Sequence, residues 1–348
     1  MNTKQELGQF MTTNYDYILS NMSIPDDVET IIEPFCGKGD LLKFIPDNRT
    51  ITLECYDIDP QCEIAIERDT LINPPSYAGK FVLTNPPYLA RNKATNKQIF
   101  DKYKQNDLYK CFIWTILKLK PEGGIIIIPL NFISSIRKAD IDLRKNFLQV
   151  FTISRINIFE EQVFADTTYT VCAIQFQKKK PEHVNNLINV DIYPSIDNIK
   201  IQINSDNNYM IGGQIYKLPQ SSTYTITRLT KLTVDEPYTN ILVKCIDDNQ
   251  ANQIKLSLVE IDQVYIDETT NLSARTYATL QINPHISDSK QALLVDRFNQ
   301  YLSTERKKYH SLFLCNYRES KDIARKRISF GLVYSICEYL LDQIDQES

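Results

Sequence analysis

The chain has 348 residues, 43% hydrophobic and 24% charged, the balance of an ordinary soluble globular protein with room for a catalytic domain and a second, smaller one. A net charge of −4 excludes a protein coated in basic surface. No run of about 18 apolar residues occurs and the terminus MNTKQELGQF lacks the apolar stretch of a secretory signal, so no membrane association is expected, and the location predicted is cytoplasmic, or the host cytoplasm or nucleus for a viral gene. Eight scattered cysteines without C-x-x-C spacing, and three histidines outside any ligand pattern, predict neither a disulfide framework nor a metal site.

In chain order, residues 29–34 (ETIIEP) read as a strand, followed by a glycine-containing turn and the strand TITLECYD at 50–57. A helix over 60–69 (PQCEIAIERD), the strand GKFVLTN at 79–85 and a helix about 106–120 come next. They are followed by the strand GGIIIIPLNF, a helix from Ile136 to Leu148, and the strands ISRINIF and TYTVCAIQFQ. This βαβα order predicts an α/β fold whose open, largely parallel sheet carries helices on both faces, and the unbroken apolar run GIIIIPL suits a strand buried on both sides. After QKKKPEHVNN the pattern changes, which places a domain boundary near 180. The second domain, 181–348, reads as β-rich over 185–285, including NVDIYPSI, NIKIQI and NILVKCI, and helical over 287–346.

Two features of the first domain carry chemistry. In IIEPFCGKGDLL a strand ends on Glu33-Pro34 and a helix begins near Asp40, with Gly37 and Gly39 between; open α/β sheets bind ligands at such strand ends, where glycines admit close backbone approach. Twenty residues past Gly37, Asp57 ends a strand where Rossmann-type folds place a ribose-binding acid, and Asp69 follows. Taken singly, each of these is equally a plain turn or a surface acid. The second feature is TNPPYLARN, Thr84 to Asn92: two consecutive prolines require a rigid turn at the end of the buried strand KFVL.

The segments LGQFMTT, EPFCGKGDLL, CYDIDP, ERDTL, TNPPY and VFADTTYTVCAIQF occur in the order and approximate spacing of the gamma-class N6-adenine DNA methyltransferases, which the chain resembles over residues 5–180. The resemblance implies a Rossmann-like methyltransferase sheet that uses S-adenosyl-L-methionine and releases S-adenosyl-L-homocysteine. By it, Thr12 contacts the methionine carboxylate, Glu33 and the backbone of Cys36, Gly37 and Gly39 the methionine amino end, Asp57 the ribose, and Ile58 and Asp69 the adenine. Two departures stand out: Thr13 where proline is usual, and Lys38 between the two glycines.

The chemistry explains the proline turn. The exocyclic nitrogen of adenine is a poor nucleophile because its lone pair is delocalised into the ring; acceptors on its hydrogens, the Asn85 amide oxygen and the Pro86 carbonyl, would localise that lone pair without a general base. The target base must be flipped out of the duplex, and the resemblance assigns stacking faces to Tyr88 and Phe164.

Asn-Pro-Pro-Tyr also occurs in enzymes that methylate RNA bases or the glutamine amide of release factors, and a non-catalytic DNA-binding subunit of a modification complex would share the same turns. The partner expected from the added second half is double-stranded DNA, read by a target recognition region, with the chain acting as a monomer beside a restriction endonuclease encoded nearby. Local basic segments fit this: Arg91, Lys93, Lys97, Lys102 and Lys104 in one, and Arg318, Lys321, Arg325, Lys326 and Arg327 in another. On a helix through 316–330 the second set forms a strip along a phosphate backbone; the alternative for either is a solvated face.

Overall fold

The computed structural model describes residues 12–164, 169–181, 187–248, 252–268, 276–317 and 325–347. It divides into two compact units, the first ending at Gln202 and the second beginning at Ile203.

The first unit is built on a nine-stranded sheet in the order β3-β2-β1-β4-β5-β7-β6-β8-β9. Its strands are β1 Thr30–Glu33, β2 Thr52–Asp57, β3 Ala65–Glu67, β4 Phe81–Thr84, β5 Gly123–Pro129, β6 Phe151–Phe159, β7 Val171–Lys178, β8 Ile188–Tyr193 and β9 Asp197–Ile201. Neighbours from β3 to β5 run parallel, while β7 lies antiparallel between β5 and β6. This is a Rossmann-like sheet, and the ends of β1, β2 and β4 bring the glycine turn and the proline turn together. Every residue of β5 is buried, as a central strand with two covered faces requires. Helices α1 Gln98–Tyr103, α2 Leu108–Leu119 and α3 Lys138–Val150 complete the unit. In α2, nine of twelve residues are buried, including Lys110, whose ammonium pairs with buried Asp140 of α3. Phe147 of α3, fully buried, packs edge-on against Phe132 and Phe176 and tilted against Phe151.

The second unit holds an antiparallel sheet, β10 Thr225–Arg228, β13 Tyr277–Asn283, β11 Ile241–Lys244 and β12 Lys255–Leu258, in the order β10-β13-β11-β12. Two long helices, α4 Asp288–Tyr309 and α5 Phe330–Glu347, share its core: Leu294, Phe298 and Leu302 from one and Val333, Ile336 and Leu341 from the other are buried with Ile226, Val243 and Leu280. Arg306 of α4 clamps the buried carboxylate of Asp248 through Nε at 3.0 Å and Nη2 at 2.7 Å.

Four expectations are corrected. The 60–69 segment is not a helix: Cys62, Ile64 and Ile66 are spaced by two, and the chain joins β2 to the parallel edge strand β3 through a short loop. At the glycine turn the helix is a single 3-10 segment, Asp40–Phe44. The strands at 188–193 and 197–201 belong to the first sheet, because Val190 and Ile192 pair along β6, which moves the boundary from 180 to 202. Within the basic run at 316–330, the described residues 316–317 and 325–327 are strands and not helix. Cys315–Tyr317 (β14) and Arg325–Arg327 (β15) form a hairpin, and the carbonyl of Lys326 and the amide of Ile328 bond to the backbone of Asp247 and Cys245, which a helix there would forgo.

Phe147→Ala removes the ring at the centre of the aromatic cluster and should cost about 3–5 kcal/mol. Urea denaturation measures it, and a loss below about 1 kcal/mol would show that the cluster is not a packing centre of this unit.

Candidate active site

The turn after β1 is shaped by two left-handed glycines, Gly37 at φ 51° and Gly39 at φ 76°. A side chain at Gly39 would start 3.1 Å from Cys62 Sγ, so that position has neither the conformation nor the space for one. The turn is tied to β2 by three bonds: Cys36 N donates to the Tyr56 carbonyl at 2.8 Å, Gln61 N to the Gly37 carbonyl at 3.1 Å, and Gly37 N to Asp57 Oδ2 at 2.7 Å. Asp57 Oδ1 accepts from Asp59 N at 2.8 Å, so the buried carboxylate is fixed by one backbone amide on each oxygen. Asp69 Oδ1 accepts from the amides of Leu71 and Ile72, which anchors the loop after β3.

Glu33 ends β1 and is 1% exposed. Its Oε1 accepts from the Thr84 hydroxyl and from Phe35 N at 3.2 Å, whereas Oε2 is buried without a hydrogen-bond partner among the described residues. Burial raises its pKa well above the usual carboxylate range, and Cys36 and Asp57 push the same way, against the lowering bonds from Thr84 and Phe35. A buried acceptor left in this state suits a cation.

At the end of β4, Asn85 Nδ2 donates to Thr12 Oγ1 at 3.0 Å, and the Tyr88 hydroxyl donates to Asn85 Oδ1 and is 2.7 Å from the Ile127 carbonyl. The amide is thereby oriented at both ends. A cavity of about 400 Å³ opens here, and its wall takes in Thr12, Glu33 and Asn85 at one end and Asp57, Ile58 and Asp69 along the side, with Cys36 and Gly37 in the turn. Segments far apart in sequence are thus brought to one space.

Other expected residues stand back from that space. Gly39 shapes the turn, and Pro86 is not in the cavity wall. Tyr88 and Phe164 are each 2% exposed, so neither presents an open stacking face: the Tyr88 ring packs edge-on at 6.4 Å from Tyr109 and tilted at 5.7 Å from Tyr169. Of the basic C-terminal set, Arg318 and Lys321 lie outside the described residues, Arg325 and Arg327 belong to β15, and Lys326 of the same strand is 4% exposed, which removes it from any solvent-facing strip.

Several contributors escaped sequence reasoning. Arg68, beside Asp69, lies over the Tyr56 ring and donates through Nε to the Asn73 carbonyl at 2.7 Å, bracing the loop that carries Asp69; its only signal was adjacency to that acid. Phe35 and Ile72 supply apolar wall, and Ala94, Thr95 and Asn96 bring the loop after the proline turn to the rim.

Residues 61–164 match the family model described as Eco57I restriction-modification methylase. The match runs from the loop after Asp57 through the proline turn to Phe164, and it bears out the resemblance to gamma-class adenine methyltransferases over that segment. No curated protein matches the chain. Among solved structures, a type I restriction-modification system methyltransferase subunit from Streptococcus thermophilus is 14% identical over 54% of this chain and 48% of its own, with a TM-score of 0.39. The DrdV–DNA complex is 15% identical over 68% and 36%, at 0.42, and the ATP-dependent Type ISP restriction-modification enzyme LlaBIII bound to DNA is 16% identical over 69% and 24%, at 0.39. The chain therefore spans less than half the length of each. With scores of this size, the fold rests on the chain's own sheet order. Among the described residues, no helix is long and apolar enough to cross a membrane.

Glu33 makes folding pH-dependent in a definite direction. Its folded pKa lies above the 4.5 of an ordinary glutamate, so the folded state holds its proton where the unfolded state has released it, and stability falls as pH rises from 4.5 toward the folded value. Glu33→Gln removes this dependence. In the absence of ligand, its urea midpoint should exceed the parent's at about pH 8 and draw level below 4.5; equal midpoints at both ends would mean that the carboxyl is solvated or already paired.

Proposed function

We propose, on the premise of a restriction-modification methylase domain at residues 61–164, that the chain methylates the exocyclic N6 amino group of a flipped-out adenine in double-stranded DNA, using S-adenosyl-L-methionine. The observation that carries this reading is the shared cavity: the Asn85 amide borders the same space as Glu33, Asp57 and Asp69.

The residues present fit that cofactor. Glu33 Oε2, buried and without a hydrogen-bond partner among the described residues, suits its ammonium; Asp57, held in place by the amides of Gly37 and Asp59, is an acceptor for ribose hydroxyls; Ile58 and Ile72, both half-exposed, supply apolar surface for a purine, with Asp69 in the same wall as acceptor. When bound, the cofactor supplies an activated methyl group on a sulfonium.

On the acceptor side the chain's own groups act by position. Asn85 Oδ1, oriented by the Tyr88 hydroxyl, accepts one hydrogen of the target amino group, and the Pro86 carbonyl accepts the other. Both prolines hold these acceptors still, so no reorganisation is needed as charge develops on the nitrogen. Proton loss to solvent follows transfer. Tyr88 serves first as the donor that orients Asn85; for Tyr88 or Phe164 to stack on the base, its ring must leave the buried position seen here. Recognition of the DNA sequence falls to the second unit, in a monomer working beside a companion endonuclease.

Asn85→Ala should lower methyl transfer by about 100-fold or more while cofactor binding persists. Mass spectrometry of nucleosides from treated DNA reads both the loss and the product: N6-methyladenine supports the reading, whereas methylation of RNA or of a glutamine amide alone, or binding of cofactor with no transfer at all, transfers the chain to another class. Asp57→Ala should weaken S-adenosyl-L-homocysteine by about 1–3 kcal/mol, the cost of hydrogen bonds to a charged acceptor. Unchanged affinity in calorimetry would move the cofactor elsewhere.

A further inference from the structure

We infer that Lys38 is the anchor for the carboxylate of the cofactor's amino-acid end, an inference that rests on the cofactor reading above. An amino-acid tail carries an ammonium and a carboxylate on one carbon. The cavity wall answers the ammonium with Glu33, yet its other carboxylates, Asp40, Asp57 and Asp69, offer nothing to an anion and repel it. A cation is required.

Among the described residues, two cationic side chains belong to the wall, Lys38 and Arg68. The Arg68 guanidinium is already engaged with the Asn73 and Pro74 carbonyls and lies 5.4 Å from the Tyr56 ring centroid. Lys38 is exposed and forms no ion pair or hydrogen bond among the described residues. Its neighbouring acid does not neutralise it, because Asp40 pairs with Lys43 at 3.0 Å. The lysine sits between left-handed Gly37 and Gly39, in the same turn that follows Glu33, so one short segment presents both signs of charge to the tail. The hydroxyl that the family resemblance assigns to the carboxylate, Thr12 Oγ1, accepts from Asn85 Nδ2 at 3.0 Å and carries no charge. The lysine that departs from the usual glycine turn thus supplies the missing charge.

Calorimetry with two ligands tests this: S-adenosyl-L-homocysteine, which carries the amino-acid tail, and methylthioadenosine, which lacks it. Lys38→Met should weaken the first by about three- to tenfold, the range for a solvent-screened, charge-assisted contact, and leave the second unchanged; Lys38→Arg should restore most of the loss. Retained methylthioadenosine affinity also shows that the variant is folded. Equal weakening of both ligands, or of neither, overturns the assignment, as does a fall in the salt dependence of DNA binding at constant S-adenosyl-L-homocysteine affinity, which would turn the ammonium toward phosphates. A parent protein that binds neither ligand overturns the cofactor reading itself; one that binds both, with an indifferent Lys38, overturns only the anchor.

Discussion

A carboxyl group buried at the junction of β1 and β4 is the constraint around which the first unit is arranged. Glu33 is held by Thr84 from the adjacent strand and by Phe35 from the turn, with one oxygen left bare. Burial of an acceptor in that state destabilises the ligand-free fold, since a buried polar group without a partner costs about 1–3 kcal/mol. The sheet tolerates it because β1 lies between β2 and β4, with pairing on both edges. The same burial makes the site selective: only a ligand that brings a cation to Oε2 relieves the cost, so binding and stability are linked through one atom.

The acceptor turn is coupled to that site by a chain of hydrogen bonds. Tyr88 bonds Asn85, Asn85 bonds Thr12, and Thr12 shares the cavity wall with Glu33. The neighbouring Asn14 donates to the Val163 carbonyl at 2.7 Å, and Asn157 of β6 holds the carbonyls of Ile18 and Ser20 at 3.0 and 2.7 Å. The segment carrying Thr12 is thereby fastened to β6 and to the residue before Phe164. The cavity wall and the proline turn are parts of one bonded framework.

How much of this was legible in the sequence depended on the range of the interaction involved. Strands such as GGIIIIP announce themselves because burial on both faces leaves no polar position, and the acids at 33, 57 and 69 were readable because strand ends and glycine turns are local features. What failed depended on partners far along the chain. Val190 and Ile192 look like any alternating strand until β6 offers an open edge, and the basic run at 325–327 is β because Asp247 N donates to the Lys326 carbonyl and Cys245 accepts from Ile328 just beyond it. Tyr88 read as a stacking ring, and nothing local signalled that Tyr109 and Tyr169 would enclose it.

The short link between β2 and β3 carries a kinetic consequence. β3 has three residues, pairs on one side only, and leaves Ile64 and Ile66 more than half exposed, yet Arg68 and Asp69, which follow it directly, form one side of the cavity. That wall is therefore among the cheapest parts of the sheet to open, with amide protons expected to exchange far sooner than those of β5. Local opening there moves the Arg68–Asp69 side of the cavity while Glu33, Asn85 and the central strands stay in place.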